Sequence, residues 1–142
     1  MTPKQKGLIR ETWSQVVPIA DTAVELFYNR LFEVDPSIRR LFRSTNMAEQ
    51  GKKLIQALTF ALKNLDNLGV LTPILEELGR RHHRYGVTAE HYEEVGTTLL
   101  WTLKQGLGEA WTPEVAAAWA ELYALLSSIM QGAGNEPSQS AA

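Results

Sequence analysis

The sequence predicts an all-α domain, and three observations carry that expectation. Apolar residues recur at helical spacing: Val24, Phe27, Tyr28 and Leu31 fall at i, i+3, i+4 and i+7, and Leu71, Leu75, Leu78 and His82 share one face further on. No window shows sustained period-2 alternation, and no Asn-Gly or Asp-Gly hairpin turn or internal repeat appears. Proline follows a capping residue at Thr2-Pro3, Asp35-Pro36, Thr72-Pro73 and Thr112-Pro113. There the cap side chain accepts from an orphan backbone N–H, and proline at the first helical position has no N–H to lose.

The elements follow in order, with approximate bounds read from caps and breakers. An opening helix spans about 3–16, and Pro18 separates it from a second over about 19–34. Asp35-Pro36 starts a short helix ending at Leu41-Phe42, followed by the polar link Arg43-Ser44-Thr45-Asn46. A helix over about 47–64 ends near Asn64 to Gly69. Thr72-Pro73 opens the next, which stops around Tyr85-Gly86. Thr88 or the residues just after it open a long helix to about Gly106, closed by Gly106 and Gly108, and a last helix runs from Pro113 to about Gln131. Residues 1–131 form the expected single domain, and 132–142 read as a flexible polar tail. Unequal helices, some very short, suit steep globular crossings better than an up-down four-helix bundle.

Composition narrows the chemistry. The chain has 142 residues and no cysteine, so thiol catalysis, disulfides, Cys-ligated zinc and iron–sulfur clusters drop out. A net charge of −2 lacks the basic excess expected for nucleic-acid binding. No apolar h-region follows the N-terminus and no apolar run approaches the length of a membrane span, so a cytoplasmic location without membrane insertion is expected.

Function is sought where polar residues stand in apolar stripes. His82 ends one stripe, whereas His83 lies about 100° round the helix, so the pair cannot clamp one metal. His82 reads either as a core histidine bonded to a carbonyl or as a ligand. Tyr28 stands in the second helix's stripe, and Gln50 stands among Met47, Leu54, Leu58 and Ala61. Either these two bond each other or the backbone, or they aim at a polar group outside the chain. Tyr92 shares a face with Val95, Leu99 and Leu103, and Tyr123 one with Trp119, Leu122 and Leu126, which suits core aromatics. His91, Glu76-Glu77 and Glu93-Glu94 read as solvated helix surface.

Together these residues resemble a family. Leu78-Gly79-Arg80-Arg81-His82-His83-Arg84-Tyr85-Gly86-Val87 resembles the proximal-histidine segment of globins, nearest to neuroglobins and bacterial single-domain globins. Phe27 to Phe32 and Pro36 to Phe42 resemble the B helix and C–D corner, and Glu49 to Leu54 the distal motif of bacterial globins. Leu107 to Pro113 and Ala118 to Tyr123 resemble the G–H corner and H helix. The likeness runs in order over about residues 7–131.

The resemblance implies a globin fold of about seven to eight helices around haem b (iron protoporphyrin IX). His82 becomes the proximal iron ligand, and Tyr28, Gln50 and Leu54 take the distal positions. Phe42 takes the place of the aromatic stacked on the porphyrin, and Lys53 matches a propionate-pairing lysine. Leu78, Val87, Tyr92 and Val95 fall on the proximal side. Tyr92 matches the tyrosine that flavohaemoglobins place beside this histidine, but their partner glutamate has no counterpart in Gln131-Gly132-Ala133-Gly134. Neuroglobins place a distal histidine where this sequence has Gln50.

The expected role is reversible O2 binding, with CO and NO as other ligands, for storage, transport or scavenging by a monomer or weak dimer. Nitric oxide detoxification as a dioxygenase, or a peroxidase-like activity, is the enzymatic alternative. The sequence ends at Ala142 without a flavin domain, so electrons are expected from a separate reductase. A gas sensor and a haem-free helical regulator are further classes.

Overall fold

Thr2 acts as its place before Pro3 predicts, accepting from the Gln5 amide while Gln5 reaches back to the Thr2 N–H, and so opens α1 (Pro3–Val16). The computed structural model describes residues 1–135. A 3₁₀ turn at Val17–Ile19 carries Pro18 into α2 (Ala20–Val34). Asp35 accepts from the Ser37 amide and starts the 3₁₀ segment Pro36–Phe42. Asn46 caps α3 (Met47–Lys63) through Glu49, Thr88 caps α5 (Ala89–Leu107), and Thr112 caps α6 (Pro113–Gly134). Gly86 (φ 89°) follows α4 (Leu68–Arg84) and Gly108 (φ 54°) ends α5, both in the left-handed region that other residues avoid.

Two bounds differ from the sequence expectation. α4 spans Leu68–Arg84, so Pro73 lies inside the helix and Thr72 is not its cap. The Asn67 carbonyl accepts from Val70 and Leu71, and the extra turn buries Leu71 to 1% exposure. So near the N-terminus proline removes only the bond to the Gly69 carbonyl, and burial outweighs that loss. At the other end, α6 continues through Gly134, three residues into the segment read as a tail. Residues 136–142 of that tail lie outside the described residues.

The described residues hold six α-helices and no strand, an all-α globin fold. Trp119, fully buried, donates to Thr12 at 2.9 Å and ties α6 to α1, and Trp13 donates to Thr59 at 3.0 Å to tie α1 to α3. The most extensive helix contact is α4 on α6. It depends on Gly79: a Cβ there would stand 2.1 Å from the Met130 carbonyl oxygen, so the two backbones nearly touch. Gly96 plays the same part beneath the Tyr123 ring. These approaches leave an opening between α2, α3, the lower half of α4 and the start of α5.

Candidate functional site

His82 sits in the last turn of α4, and its Nδ1 lies 2.8 Å from the Leu78 carbonyl oxygen one turn back. A carbonyl can only accept, so Nδ1 carries the hydrogen and Nε2 keeps its lone pair. Burial pushes the imidazole below its usual range, and the Arg81 cation adds to this against the opposing Leu78 carbonyl. The sequence left two readings of His82, and the structure joins their features. The ring is bonded to a carbonyl, and its second nitrogen remains available as a neutral donor.

His82 lines two adjoining cavities that share Phe27, Leu54, Val87 and Val95. The narrower, of about 180 Å³, is walled by Leu75, Leu78, Tyr92, Leu126 and Met130 among others. The wider, of about 620 Å³, opens past Tyr28, Phe42, Gln50 and Lys53. All ten residues singled out in the sequence therefore line one continuous slot: Tyr28, Phe42, Gln50, Lys53, Leu54, Leu78, His82, Val87, Tyr92 and Val95. Sequence reasoning missed Met130, Thr45 and Tyr85 as lining residues. Met130 follows Leu126 by four and Tyr123 by seven, a helical spacing that carried the signal.

The distal wall is built by α2 and α3. Tyr28 is 7% exposed and its ring meets those of Phe27, Phe32 and Phe42 at centroid distances of 4.9, 6.1 and 5.6 Å. Burial pushes its phenol above the usual range, and the Gln50 side chain beside it opposes the shift. Among the described residues neither side chain bonds a group outside this pair. Both side chains line the wider cavity with hydrogen-bonding capacity left over.

On the proximal side the Tyr92 ring lies 6.2 Å from the His82 ring at 30°, and the Tyr123 hydroxyl donates to the Tyr92 carbonyl. Near the end of α6, Gly134 packs against α4, its would-be Cβ lying 3.1 Å from the Gly79 carbonyl oxygen. His82 Nδ1 is thus partnered by a backbone carbonyl alone among the described residues.

Two surface readings are corrected. His91 is half-buried; it lines the wider cavity, and its Nδ1 accepts from the Thr88 amide, which makes it part of the α5 cap. Glu94 Oε2 is buried without a partner, and burial, with Asp35 beside it, pushes this carboxyl up to about 7. Asp35 moves the other way, held down first by the Ser37 hydroxyl and then by Glu94. Fold contact between α2 and α5, not helical periodicity, brings these two carboxyls together.

The slot fits an iron porphyrin by its donor set and size. It offers one neutral imidazole nitrogen, mostly apolar walls, an aromatic ring at one edge and a lysine at the mouth, in a volume typical of cofactor sites (~300–1,000 Å³). The family profile described as Globin matches residues 25–130. A flavohemoprotein of Xylella fastidiosa (strain Temecula1) is 36% identical over 132 residues, covering 92% of this chain and 33% of that protein. A flavohemoprotein of Bacillus subtilis (strain 168) is 31% identical, covering 88% and 32%. Neuroglobin of Danio rerio is 32% identical over 143 aligned positions, covering 92% of this chain and 90% of that protein. The chain thus spans about a third of the length of these flavohemoproteins and nearly all of the neuroglobin. The chain belongs to the globin family, and haem is the cofactor that membership implies for this slot.

Proposed function

We propose that this globin holds haem b through His82 and binds O2 reversibly with high affinity and slow release. The observation that carries the reading is the pairing of Tyr28 and Gln50, uncommitted elsewhere, across the slot from a neutral His82. When bound, haem would supply a ferrous iron able to take up a diatomic gas. His82 presents Nε2 to the metal while Leu78 fixes the ring through Nδ1. Leu54, Val87 and Val95 exclude water from the faces of the slot, and Phe42 lies along its edge. Lys53, exposed on the lining of the wider cavity, would pair with a haem propionate.

Tyr28 and Gln50 then donate toward a ligand on the distal side. Each such hydrogen bond is worth ~1–1.5 kcal/mol net, so together they slow release by ~10–100-fold. The effect falls on dissociation, because neither donor has to block access for its bond to hold the ligand. Stopped-flow O2 dissociation from the parent, Tyr28→Phe, Gln50→Leu and the double variant tests this. The expected result is acceleration by each single change and more by both. A Tyr28→Phe rate within a factor of two of the parent sinks the proposed role of the tyrosine.

A nitric oxide dioxygenase role is the second reading, favoured by the likeness to flavohemoproteins and by the same ligand-retaining donors. It requires electrons from a reductase. Multiple turnovers of NO per haem with a generic reductase select it over gas binding alone.

A further inference from the structure

Residues 39–53 carry five Lys and Arg against a single Glu, in a chain whose net charge is −2. Elsewhere cations are commonly paired: Lys4, Lys6, Arg10, Arg30, Arg80 and Arg84 each meet a carboxylate within 3.8 Å. Among the described residues no such partner meets Arg39, Arg40, Arg43 or Lys53, and all four are exposed. The three arginines ring a surface cavity of about 520 Å³ floored by Phe32, Phe42 and Met47. The Arg39 guanidinium stands 5.5 Å above the Phe32 ring, which holds it over the cavity. Phe42 and Thr45 line both this cavity and the wider part of the slot. Phe42 and Thr45 therefore stand between an unneutralised cationic surface and the proposed haem edge.

We propose that Arg39, Arg40 and Arg43 form a docking surface for the acidic face of a one-electron donor protein, placed to return ferric haem to the ferrous state. The inference rests on the haem reading above. Acidic rather than basic partners fit because the three arginines lack internal counter-charges among the described residues, and the rest of this acidic molecule repels such a partner from other approaches. A protein rather than a small anion fits because the three arginines are spread around an open surface cavity, with aromatic and thioether side chains between them. In the step itself, one electron leaves a reduced [2Fe–2S]⁺ cluster, which returns to [2Fe–2S]²⁺, and ferric haem becomes ferrous. No covalent bond of either protein is made or broken.

The probe is a plant-type [2Fe–2S] ferredoxin, an acidic donor, with full-length haem-loaded protein. Two measurements are made: calorimetric binding of oxidised ferredoxin at low salt, and the rate of ferric haem reduction by reduced ferredoxin against ionic strength. Arg39→Glu/Arg43→Glu is compared with Lys63→Glu/Lys104→Glu, which changes net charge equally away from the slot. The expected result is binding and salt-sensitive reduction in parent and control. Arg39→Glu/Arg43→Glu should lose binding, reduce ~10-fold or more slowly and show little salt dependence. Equal binding and rates in the two double variants overturn the proposal. So does binding to anionic phosphatidylglycerol vesicles with none to ferredoxin, which would make the surface a membrane contact. A chain that takes up no haem fails the earlier reading. Intact O2 binding with reduction indifferent to Arg39 and Arg43 fails this one alone.

Discussion

The two sides of the slot are built by different means. On the proximal side, backbone meets backbone: Gly79 admits Met130 to contact, Gly134 follows, and the His82 ring is fixed by a main-chain carbonyl. On the distal side, a 3₁₀ segment and a four-residue link frame a cavity more than three times larger, and Tyr28 and Gln50 face it with donor capacity unspent. Proximal geometry is thus set by packing that tolerates almost no added atoms. Distal chemistry is set by side chains that can be exchanged without moving a helix. Position of the metal ligand and retention of the gas become separable properties.

The largest expected effect breaks the proximal side. Gly79→Ala forces a methyl into the Met130 backbone and should cost about 3 kcal/mol or more in urea unfolding. Gly132→Ala, also in α6 but with no described residue within 4 Å of its would-be Cβ, should instead stabilise by up to ~1 kcal/mol through helix propensity. Equal effects of the two changes would remove the packing argument. The next effect sharpens the distal side. Tyr28→Phe should lower O2 affinity relative to CO affinity by about tenfold, near 1.4 kcal/mol, because CO draws less on a hydrogen-bond donor. Equal losses for the two gases, measured by equilibrium titration, would make Tyr28 a steric rather than a polar element.

The smallest effect lies at the join of α2 and α5. Folded Glu94 holds its proton to about pH 7, whereas the unfolded side chain releases it near its ordinary value. The native state therefore binds more protons between those values, and stability falls as pH rises through this window. Its part-exposed position limits the change to on the order of 1 kcal/mol, a few degrees in Tm between pH 5 and 8. Glu94→Gln should flatten that decline. A parent whose Tm rises over the same window, unchanged by Glu94→Gln, contradicts the assignment.

Local chemistry was legible in the sequence, and proximity across the fold was not. Thr2, Asp35 and Thr112 cap as their neighbours predict, because a cap needs only three or four residues. Thr72-Pro73 carries the same local signal and yields to burial of Leu71, which depends on what α4 meets. The His82 stripe was visible through period alone, as was the inward placement of Tyr28 and Gln50. The pairing of Glu94 with Asp35 joins residues 59 positions apart and leaves no mark in either helix's periodicity. The near contact of Gly79 with Met130 likewise requires the crossing of α4 and α6, which no single segment encodes.

The central claim, that His82 Nε2 holds the iron of a haem in this slot, is tested most directly by visible spectroscopy of haem-reconstituted protein. The parent should show a Soret band, a five-coordinate ferrous spectrum because a glutamine amide is a poor iron ligand, and a shifted band under CO. His82→Gly should lose stable haem unless imidazole is added, and His83→Ala should leave the spectrum unchanged. A parent without a Soret band, or a His82→Gly protein that retains haem and its spectrum without imidazole, would contradict the account.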